Sequence, residues 1–211
     1  MGDIQRPRFE GASTPQESKP GRAPATTHGE LSHVALGLFL ERGFAETTID
    51  DIVREAGIGR RTFFRYFSSK NELPWGNFSA LLETMRERFE ESNDAVPLME
   101  ALREVILDFN DFPEDEMPYH RGRMWLLLNV PALNAYSMLK YASWRAVVAE
   151  FIARRLGERP EDVAPQAIAW ACLGICVGAY EQWLAHENAD LRTLLEASFR
   201  SAESAFGIRQ T

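Results

Sequence analysis

Residues 47–70, TTIDDIVREAGIGRRTFFRYFSSK, decide the fold of this chain because they form the pattern of two short helices joined by a glycine-bounded turn. Thr48 and Asp51, three residues apart, form a capping box at the start of the first helix. Gly57 tolerates the positive φ of a helix C-terminus, and the second helix is predicted to begin near Arg60. Helix, tight glycine turn and helix are typical of the DNA-binding helix-turn-helix, whose second helix enters the major groove.

The charge of the second helix favours the same interpretation. Residues 57–70 contain four basic residues and no acidic one. Arg60 and Arg61 fall in the first turn, which such helices direct at base edges, and an arginine fork can grip guanine with two hydrogen bonds. An ordinary solvated face explains any single arginine better, but the cap, the turn and the acid-free helix together favour DNA. The predicted phosphate contacts are Thr62, Tyr66 and Lys70.

Residues 47–73, TTIDDIVREAGIGRRTFFRYFSSKNEL, resemble the signature of the TetR family of bacterial regulators, T-T-x-x-D-I-A-x-x-A-G-V-S-x-G-T-L-Y-x-H-F-x-S-K-x-x-L. Phe64 replaces the usual tyrosine and removes a phosphate-contacting hydroxyl. Tyr66 stands where histidine is common, and Arg61 replaces the common glycine or proline and adds a base reader. The resemblance implies contact with double-stranded operator DNA by these residues: Thr47, Thr48, Arg60, Arg61, Thr62, Phe64, Arg65, Tyr66 and Lys70.

The net charge of −8 is distributed unevenly along the chain. Residues 1–25 sum to +1, residues 26–75 to −1 and residues 76–211 to −8. The acidic excess therefore lies outside the helix-turn-helix, so a local basic patch can still bind DNA. Residues 1–25 are rich in Pro, Gly, Ser and Thr and are predicted to be a disordered tail. An inert tail explains them better than a DNA-touching arm.

Composition also bears on the compartment. We expect no apolar run of the roughly 18 residues that a membrane span needs and no secretory leader, so the predicted location is the cytoplasm, with no membrane partner. Cys172 and Cys176, four apart, indicate consecutive turns in a reduced interior rather than a disulfide or a metal site. His28 and His33 lack further ligands and are predicted to be surface residues. No metal or cofactor is expected.

The whole chain is predicted to be all-α, with nine helices in a TetR-like fold. The first helix spans about 27–42, begins with a Thr27–Glu30 capping box and completes a three-helix DNA-binding domain. Ser69 and Glu72 predict a further capping box, from which a fourth helix runs to about Ser92; in the family this helix links the domains. The predicted domains are the tail 1–25, the DNA-binding domain 26–70 and the ligand-binding and dimerisation domain 71–211. The remaining helices are predicted at about 97–110, 119–129, 131–156, 162–186 and 190–206.

Two long helices near the C-terminus predict a homodimer. The helix over 162–186 is apolar nearly all round, so both of its sides must be buried. The resemblance implies that it pairs, together with the closing helix, with the same helices of a second copy in a four-helix bundle. Intrachain core packing is the alternative, and it explains one face of the helix but not both.

The C-terminal region also carries many aromatic residues, and the resemblance implies an effector cavity there. For each aromatic alone, ordinary core packing is the better interpretation. The basic residues that can neutralise an anionic ligand are His120, Arg121, Arg123, Lys140 and Arg145. A solvated helix face is at least as good an explanation of them. The candidate ligand-binding residues are Phe109, Phe112, His120, Arg121, Arg123, Trp125, Leu128, Tyr136, Leu139, Tyr141, Trp144 and Trp170.

Several longer segments resemble the TetR subgroup associated with mycofactocin gene clusters. They include GRRTFFRYFSSKNELPWGNF (59–78), PLMEALR (97–103) and KYASWRAVVAEFIARRLG (140–157). The resemblance implies a ligand-released repressor, with a long-chain fatty acyl-CoA as a conceivable effector. The acyl chain would lie among the aromatic residues and the phosphates near Arg121 and Arg123.

A helical enzyme or ligand carrier without DNA activity is the alternative function. The sequence has no nucleophile elbow, P-loop, HExxH, dinucleotide fingerprint or Cys/His metal spacing. His120 and Glu181 are an acid and a base in principle, but nothing in the sequence brings them together. We therefore predict a regulator with no catalytic residue.

Overall fold

A computed structural model describes residues 27–205, and within this range the chain forms nine α-helices, one 3-10 helix and no strand. The predicted all-α fold class is confirmed. The predicted tail, residues 1–25, lies outside the described residues. The helices are α1 (His28–Arg42), α2 (Ile49–Glu55), α3 (Arg60–Tyr66), α4 (Phe78–Glu91), α5 (Leu98–Phe109), α6 (Met117–Asn129), α7 (Pro131–Leu156), α8 (Val163–Ala185) and α9 (Leu191–Ala205).

Capping boxes start the first two helices, as the sequence predicts. Thr27 accepts from the backbone amide of Glu30, whose carboxylate accepts from the amide of Thr27. Thr48 and Asp51 exchange the same two bonds at α2. Each box satisfies two amides that the helix itself cannot pair. Gly57 follows α2 with a φ of 64°, a conformation that favours glycine.

The fourth helix begins later than the sequence predicts. Residues Lys70–Trp75 form the 3-10 helix, Gly76 follows with a φ of 53°, and α4 begins at Phe78. The cause is Pro74, which lies beyond the first turn of a helix capped at Ser69. It has no amide to donate to the carbonyl of residue 70, so the α-helical ladder fails there.

The predicted capping box at Ser69 is also absent. Ser69 makes no side-chain cap hydrogen bond. The carboxylate of Glu72 instead accepts from the backbone amide of Ser68, at 2.6 Å. The turn after α3 is therefore closed by a different bond from the one that the pattern predicts.

The described residues divide into two compact units. Residues 27–77 and 114–134 form the head unit, which contains α1 to α3, the 3-10 helix and α6. Residues 78–113 and 135–205 form the bundle unit, which contains α4, α5, most of α7, α8 and α9. This division differs from the predicted boundary at residue 70, because α6 groups with the DNA-binding helices.

Close contact with α1 explains why α6 belongs to the head unit. Leu40 of α1 is buried, and a Cβ atom added at Gly122 of α6 would lie 2.7 Å from its Cδ1. His33 of α1 stacks on Tyr119 of α6, with ring centroids 3.8 Å apart, and its Nε2 lies 3.1 Å from the Glu116 carboxylate. His33, predicted to be a surface residue, therefore joins these two helices.

The bundle unit has a core in which helices α5, α8 and α9 are joined by polar bonds. The Tyr180 hydroxyl of α8 donates to the Asn110 side chain at the end of α5, at 2.6 Å. Arg103 of α5 pairs with Glu203 of α9 at 3.0 Å, and both side chains are largely buried. Such pairs fix the register between helices, since breaking one leaves a buried charge without its partner.

Helix α8 has the length and composition of a membrane-spanning helix. The prediction that no such segment exists is therefore wrong. Length and apolar composition alone are weak evidence for a membrane, because the core helix of a helical bundle has the same properties. Buried aromatic residues such as Tyr180 and Trp183 line one side of α8, while Ala167, Ala171 and Gly174 are exposed on another.

A candidate nucleic-acid interface

Two buried phenylalanines fix the orientation of α3. Phe63 is fully buried and Phe67 almost so, and their ring centroids are 6.2 Å apart. Because these residues face the core of the head unit, the opposite side of this short helix faces solvent, and Arg60, Arg61 and Arg65 are exposed there. The structure thus presents three guanidinium groups on one exposed helix.

Arg60 is held by an acidic residue of α2. Its Nη1 donates to both carboxylate oxygens of Asp50, at 2.8 and 3.0 Å. Its guanidinium carbon also lies 6.0 Å from the ring centroid of Phe64, which is 48% exposed. Both charged side chains are more than half exposed, so the pair orients Arg60 at the surface without burying it.

Arg61 and Arg65 differ from Arg60 in their surroundings. Arg61 is exposed and makes no hydrogen bond or ion pair with any residue in 27–205. Arg65 lies over the ring of Tyr66, 4.8 Å from its centroid, and donates to the Tyr66 hydroxyl at 3.2 Å. Thr62 is half-buried. Among the described residues, the basic face therefore contains one arginine without a polar partner and two that are oriented by neighbours.

Lys70 contacts the backbone of its own unit. Its Nζ donates to the carbonyl oxygens of Phe44 at 2.7 Å, Thr47 at 3.1 Å and Ala45 at 3.4 Å. It also lies 4.3 Å from the centroid of the Phe44 ring. Burial lowers the pKa of Lys70, and the charge of Glu46 partly opposes that shift. The predicted phosphate contact thus stabilises the turn between α1 and α2.

The two threonines before α2 have structural roles. Thr47 is only 1% exposed, and its hydroxyl donates to the carbonyl of Gly43 at 2.7 Å. It therefore has almost no surface to offer DNA. Thr48 is exposed and caps α2 through Asp51. This cap lowers the pKa of Asp51 to about 2, mainly through the Thr48 hydroxyl and then through the Thr48 amide.

Two further residues shape this face although the sequence did not single them out for it. Asp50 is the partner of Arg60. His28, predicted to be a surface residue, donates from Nε2 to the carbonyl of Tyr66 at 3.0 Å, and its ring packs edge-on against Tyr66 and Phe67. The start of α1 therefore holds the end of α3. No local pattern predicts either contact, because each joins separate helices.

The candidate ligand-binding residues divide between the two units. In the bundle unit, Phe109 packs edge-on against Trp144 with centroids 6.5 Å apart. The ring of Trp170 is 46% exposed under the Arg145 guanidinium, which lies 3.6 Å from its centroid, and Leu139 is 65% exposed. The bundle unit holds Phe109, Phe112, Tyr136, Leu139, Tyr141, Trp144 and Trp170, and the head unit holds His120, Arg121, Arg123, Trp125 and Leu128.

Burial shifts the pKa of several titratable groups among and near these candidates. It lowers the pKa of His120 well below its usual value, with a smaller effect from the charge of Arg123. It raises the pKa of the Tyr141 hydroxyl. Burial also raises the pKa of Cys172 to about 12, and both Cys172 and Cys176 are free thiols. Within the described residues, no group of three His, Cys, Asp or Glu side chains is arranged to hold a metal ion.

Two protein families match separate parts of this chain. The family described as "Bacterial regulatory proteins, tetR family" matches residues 31–73, which include α2 and α3. The family described as "MftR C-terminal domain" matches residues 96–207. The chain is also 46% identical, over 88% of its length and 93% of the relative, to a protein named as the mycofactocin biosynthesis transcriptional regulator MftR of Mycobacterium tuberculosis.

Solved structures share this fold at low sequence identity. A TetR-family transcriptional regulator from Syntrophomonas wolfei aligns with a TM-score of 0.63 at 15% identity and covers 87% of this chain and 96% of its own. FadR of Thermus thermophilus, a repressor solved with lauroyl-CoA, aligns with a TM-score of 0.56 at 21% identity and covers 87% of this chain and 97% of its own. At such identities the likeness concerns the fold alone.

Proposed function

This chain belongs to the TetR family of bacterial transcriptional regulators, and from that premise we propose that it represses transcription by binding a palindromic operator as a dimer that a small amphipathic effector releases. The exposed face of α3, which carries three arginines and no acidic side chain, carries this proposal. Arg60 and Arg61 read bases from the first turn of the helix. Tyr66 and Thr62 contact phosphates and fix the register.

A mobility-shift assay with the DNA upstream of the gene that encodes this protein tests the DNA-binding role. We expect Arg60→Ala and Arg61→Ala each to weaken binding by about tenfold or more, because a bidentate contact to guanine contributes about 1–3 kcal/mol. Arg159→Ala is the matched control, since Arg159 is an exposed arginine outside α3, α8 and α9 that is paired with Asp162. Unchanged binding in both α3 variants would remove the base-reading role.

We place the dimer interface on α8 and α9. The exposed side of α8 carries small residues, and a Cβ atom added at Gly174 or Gly178 would meet nothing within 4 Å. Small side chains let two helices approach closely, and the unburied apolar surface of α8 needs a cover. A two-fold dimer would present two recognition helices to major grooves about 34 Å apart.

The proposed effector is a long-chain acyl-CoA or a molecule of similar chemistry. The aromatic group around Phe109 and Trp144 in the bundle unit is suited to an apolar chain. FadR of Thermus thermophilus was solved with lauroyl-CoA, and its shared fold makes this class the first to test. The contact of an anionic headgroup with Arg121 and Arg123 stays a prediction.

Isothermal titration with palmitoyl-CoA, followed by a mobility-shift assay in its presence, tests the effector. We expect binding that is weakened by Trp144→Ala and that lowers the bound DNA fraction. Coenzyme A without an acyl chain is the control for binding through the headgroup. If no long-chain acyl-CoA binds and DNA release is indifferent to it, this effector class is excluded while the DNA-binding role stands.

The proposed mechanism is a shift of population between two arrangements of the dimer. The DNA-competent arrangement holds the two α3 helices at the operator spacing, and the effector prefers another arrangement. The chain passes from the head unit to α4 through Gly76, and this connection is the proposed mechanical link.

We also propose a cytoplasmic location and control of mycofactocin genes, because the 46% identical relative is named for that pathway. Genomic selection of bound DNA tests the regulated genes directly.

A further inference from the structure

The contact between Asp50 and Arg60 joins the two helices of the helix-turn-helix at its exposed surface. An arginine has five N–H donors. Here Nη1 donates to both carboxylate oxygens of Asp50, at 2.8 and 3.0 Å. The Nε–H and the two N–H groups of Nη2 are not used in these bonds. That remaining edge is a complete two-donor fork, which is the geometry that guanine O6 and N7 accept.

We propose that Asp50 is a positioning residue that determines specificity, because it holds Arg60 by one edge and so turns the other edge toward the DNA. The inference depends on the proposed DNA-binding function and goes beyond it, since it assigns a role to an acidic residue of α2. A positioned guanidinium loses less side-chain freedom on binding a base than a free one. The Phe64 ring also lies near this side chain, with its centroid 6.0 Å from the guanidinium carbon.

Asp50 has a second, electrostatic consequence for non-specific binding. Its carboxylate neutralises Arg60, so Arg60 contributes little to the attraction of phosphates in any sequence. The Asp50 carboxylate repels the DNA phosphates, and this repulsion is offset only at a site where Arg60 forms its hydrogen bonds to guanine. The pair therefore lowers non-specific affinity and raises discrimination. Arg61, which is unpaired within the described residues, supplies attraction without this restriction.

Asp50 differs in this role from the other acidic residues of α2. Asp51 caps the helix and pairs with Arg54, so its removal would disturb α2 itself. Glu55 is exposed and makes no ion pair with any residue in the part of the chain that the structure describes. Glu55→Gln therefore removes the same charge from the same helix without releasing an arginine. This makes it the matched control.

The experiment begins with selection of the preferred site from random DNA by the wild-type protein. Affinity is then measured for that site and for every single-base variant, at several salt concentrations, with Asp50→Asn, Glu55→Gln and Arg60→Lys. Asp50→Asn is expected to reduce discrimination at one base position by about tenfold. It should also raise affinity for unrelated DNA and steepen the salt dependence by roughly one ion, because Arg60 becomes free to meet phosphates.

The controls separate positioning from folding and from simple charge removal. Glu55→Gln should raise non-specific affinity slightly and leave base discrimination unchanged. Arg60→Lys keeps the charge but lacks the fork, so it should lose discrimination at the same position while retaining affinity for unrelated DNA. In an Arg60→Ala background, Asp50→Asn should leave discrimination at that position unchanged. Thermal melting of each variant identifies any loss of folded protein, and Asp50→Ala replaces Asp50→Asn if the latter melts early.

The outcomes distinguish failure of this inference from failure of the proposed function. If the wild type selects no sequence, the proposed function fails and this inference fails with it. If the wild type selects a site and Asp50→Asn leaves every base preference unchanged, only the role of Asp50 is overturned. The same holds if Glu55→Gln lowers discrimination as strongly as Asp50→Asn, since the effect is then charge alone.

Discussion

At the scale of single residues, Lys70 shows how one side chain can be assigned two different roles. The family resemblance implies a phosphate contact, whereas its ammonium group donates to three carbonyl oxygens of the turn between α1 and α2. These partners lie 23 to 26 positions away in the sequence. Periodicity and capping patterns extend over a few residues, so the sequence could not predict this contact.

Replacement of Lys70 by Met distinguishes the two roles. We expect Lys70→Met to lower the free energy of unfolding by about 1.5–3 kcal/mol, because hydrogen bonds from a charged group to half-buried carbonyls are lost. The salt dependence of DNA binding should be unchanged. A phosphate contact would instead reduce the salt slope by roughly one and leave the melting temperature nearly the same. Chemical denaturation and DNA titration at several salt concentrations measure both quantities.

The Thr48–Asp51 capping box gives a pH prediction. The folded-state pKa of Asp51, about 2, lies below the ordinary value of 3.8. A depressed carboxylate pKa means that the charged cap stabilises the fold above pH 3.8 and that this contribution is lost as the pH falls toward 2. We expect Asp51→Asn to melt earlier than wild type at pH 7 and the difference to shrink through that window.

Thr48→Ala provides the companion measurement, with an expected loss of about 1 kcal/mol near neutral pH. Melting temperatures at pH 7, 4 and 2.5 follow all three proteins. A difference between wild type and Asp51→Asn that stays constant from pH 7 to 2.5 would contradict the assigned cause. Thr193→Ala, which removes the hydrogen bond from the Thr193 hydroxyl to the Asp190 carboxylate at the start of α9, tests whether any cap gives the same effect.

At the scale of helices, local sequence patterns predicted most starts and stops. The capping boxes of α1 and α2 and the glycine after α2 are confirmed, since each involves residues within four positions of one another. The predicted start of α4 is wrong because the capping pattern at Ser69 carries no information about Pro74, five residues further along. The steric cost of a proline beyond the first turn decides the structure there.

Two helical glycines test the contact between α1 and α6. Gly37→Ala on α1 should raise the free energy of unfolding by about 0.5–1 kcal/mol, because a Cβ there meets nothing within 4 Å and alanine is the better helix former. Gly122→Ala on α6 should lower it by about 1–3 kcal/mol, because the added Cβ meets the buried Leu40 side chain. Denaturant unfolding measures both. Equal stabilisation by the two variants would contradict the close approach.

At the scale of the whole molecule, the exposed side of α8 predicts a dimer. We expect Gly174→Arg to convert the protein from twice to once the chain mass of 23.9 kDa in light scattering, because a large charged side chain would occupy the proposed helix contact. Ala80→Arg, on an exposed position of α4, is the control and should leave the mass unchanged. A dimeric Gly174→Arg protein would place the interface elsewhere.

The sequence could predict the helix-turn-helix and the apolar character of α8, since both are properties of contiguous stretches. It could not predict that α6 groups with the DNA-binding helices, because that grouping depends on Gly122 and His33 meeting partners from a distant segment. For the nine candidate DNA-binding residues too, the sequence could not predict contacts with distant segments. The pattern identified the exposed arginines of α3, whereas the burial of Thr47 and the Asp50 contact depend on tertiary packing.

The discontinuous head unit has a consequence for protein synthesis and for engineering. Its last segment, residues 114–134, leaves the ribosome only after a long stretch of the other unit, so the DNA reader cannot complete its packing while it is the newest part of the nascent chain. The same arrangement means that residues 27–77 are not an interchangeable cassette. A chimaera that exchanges recognition helices between such regulators must therefore carry α6, or at least its α1-facing side chains, along with them.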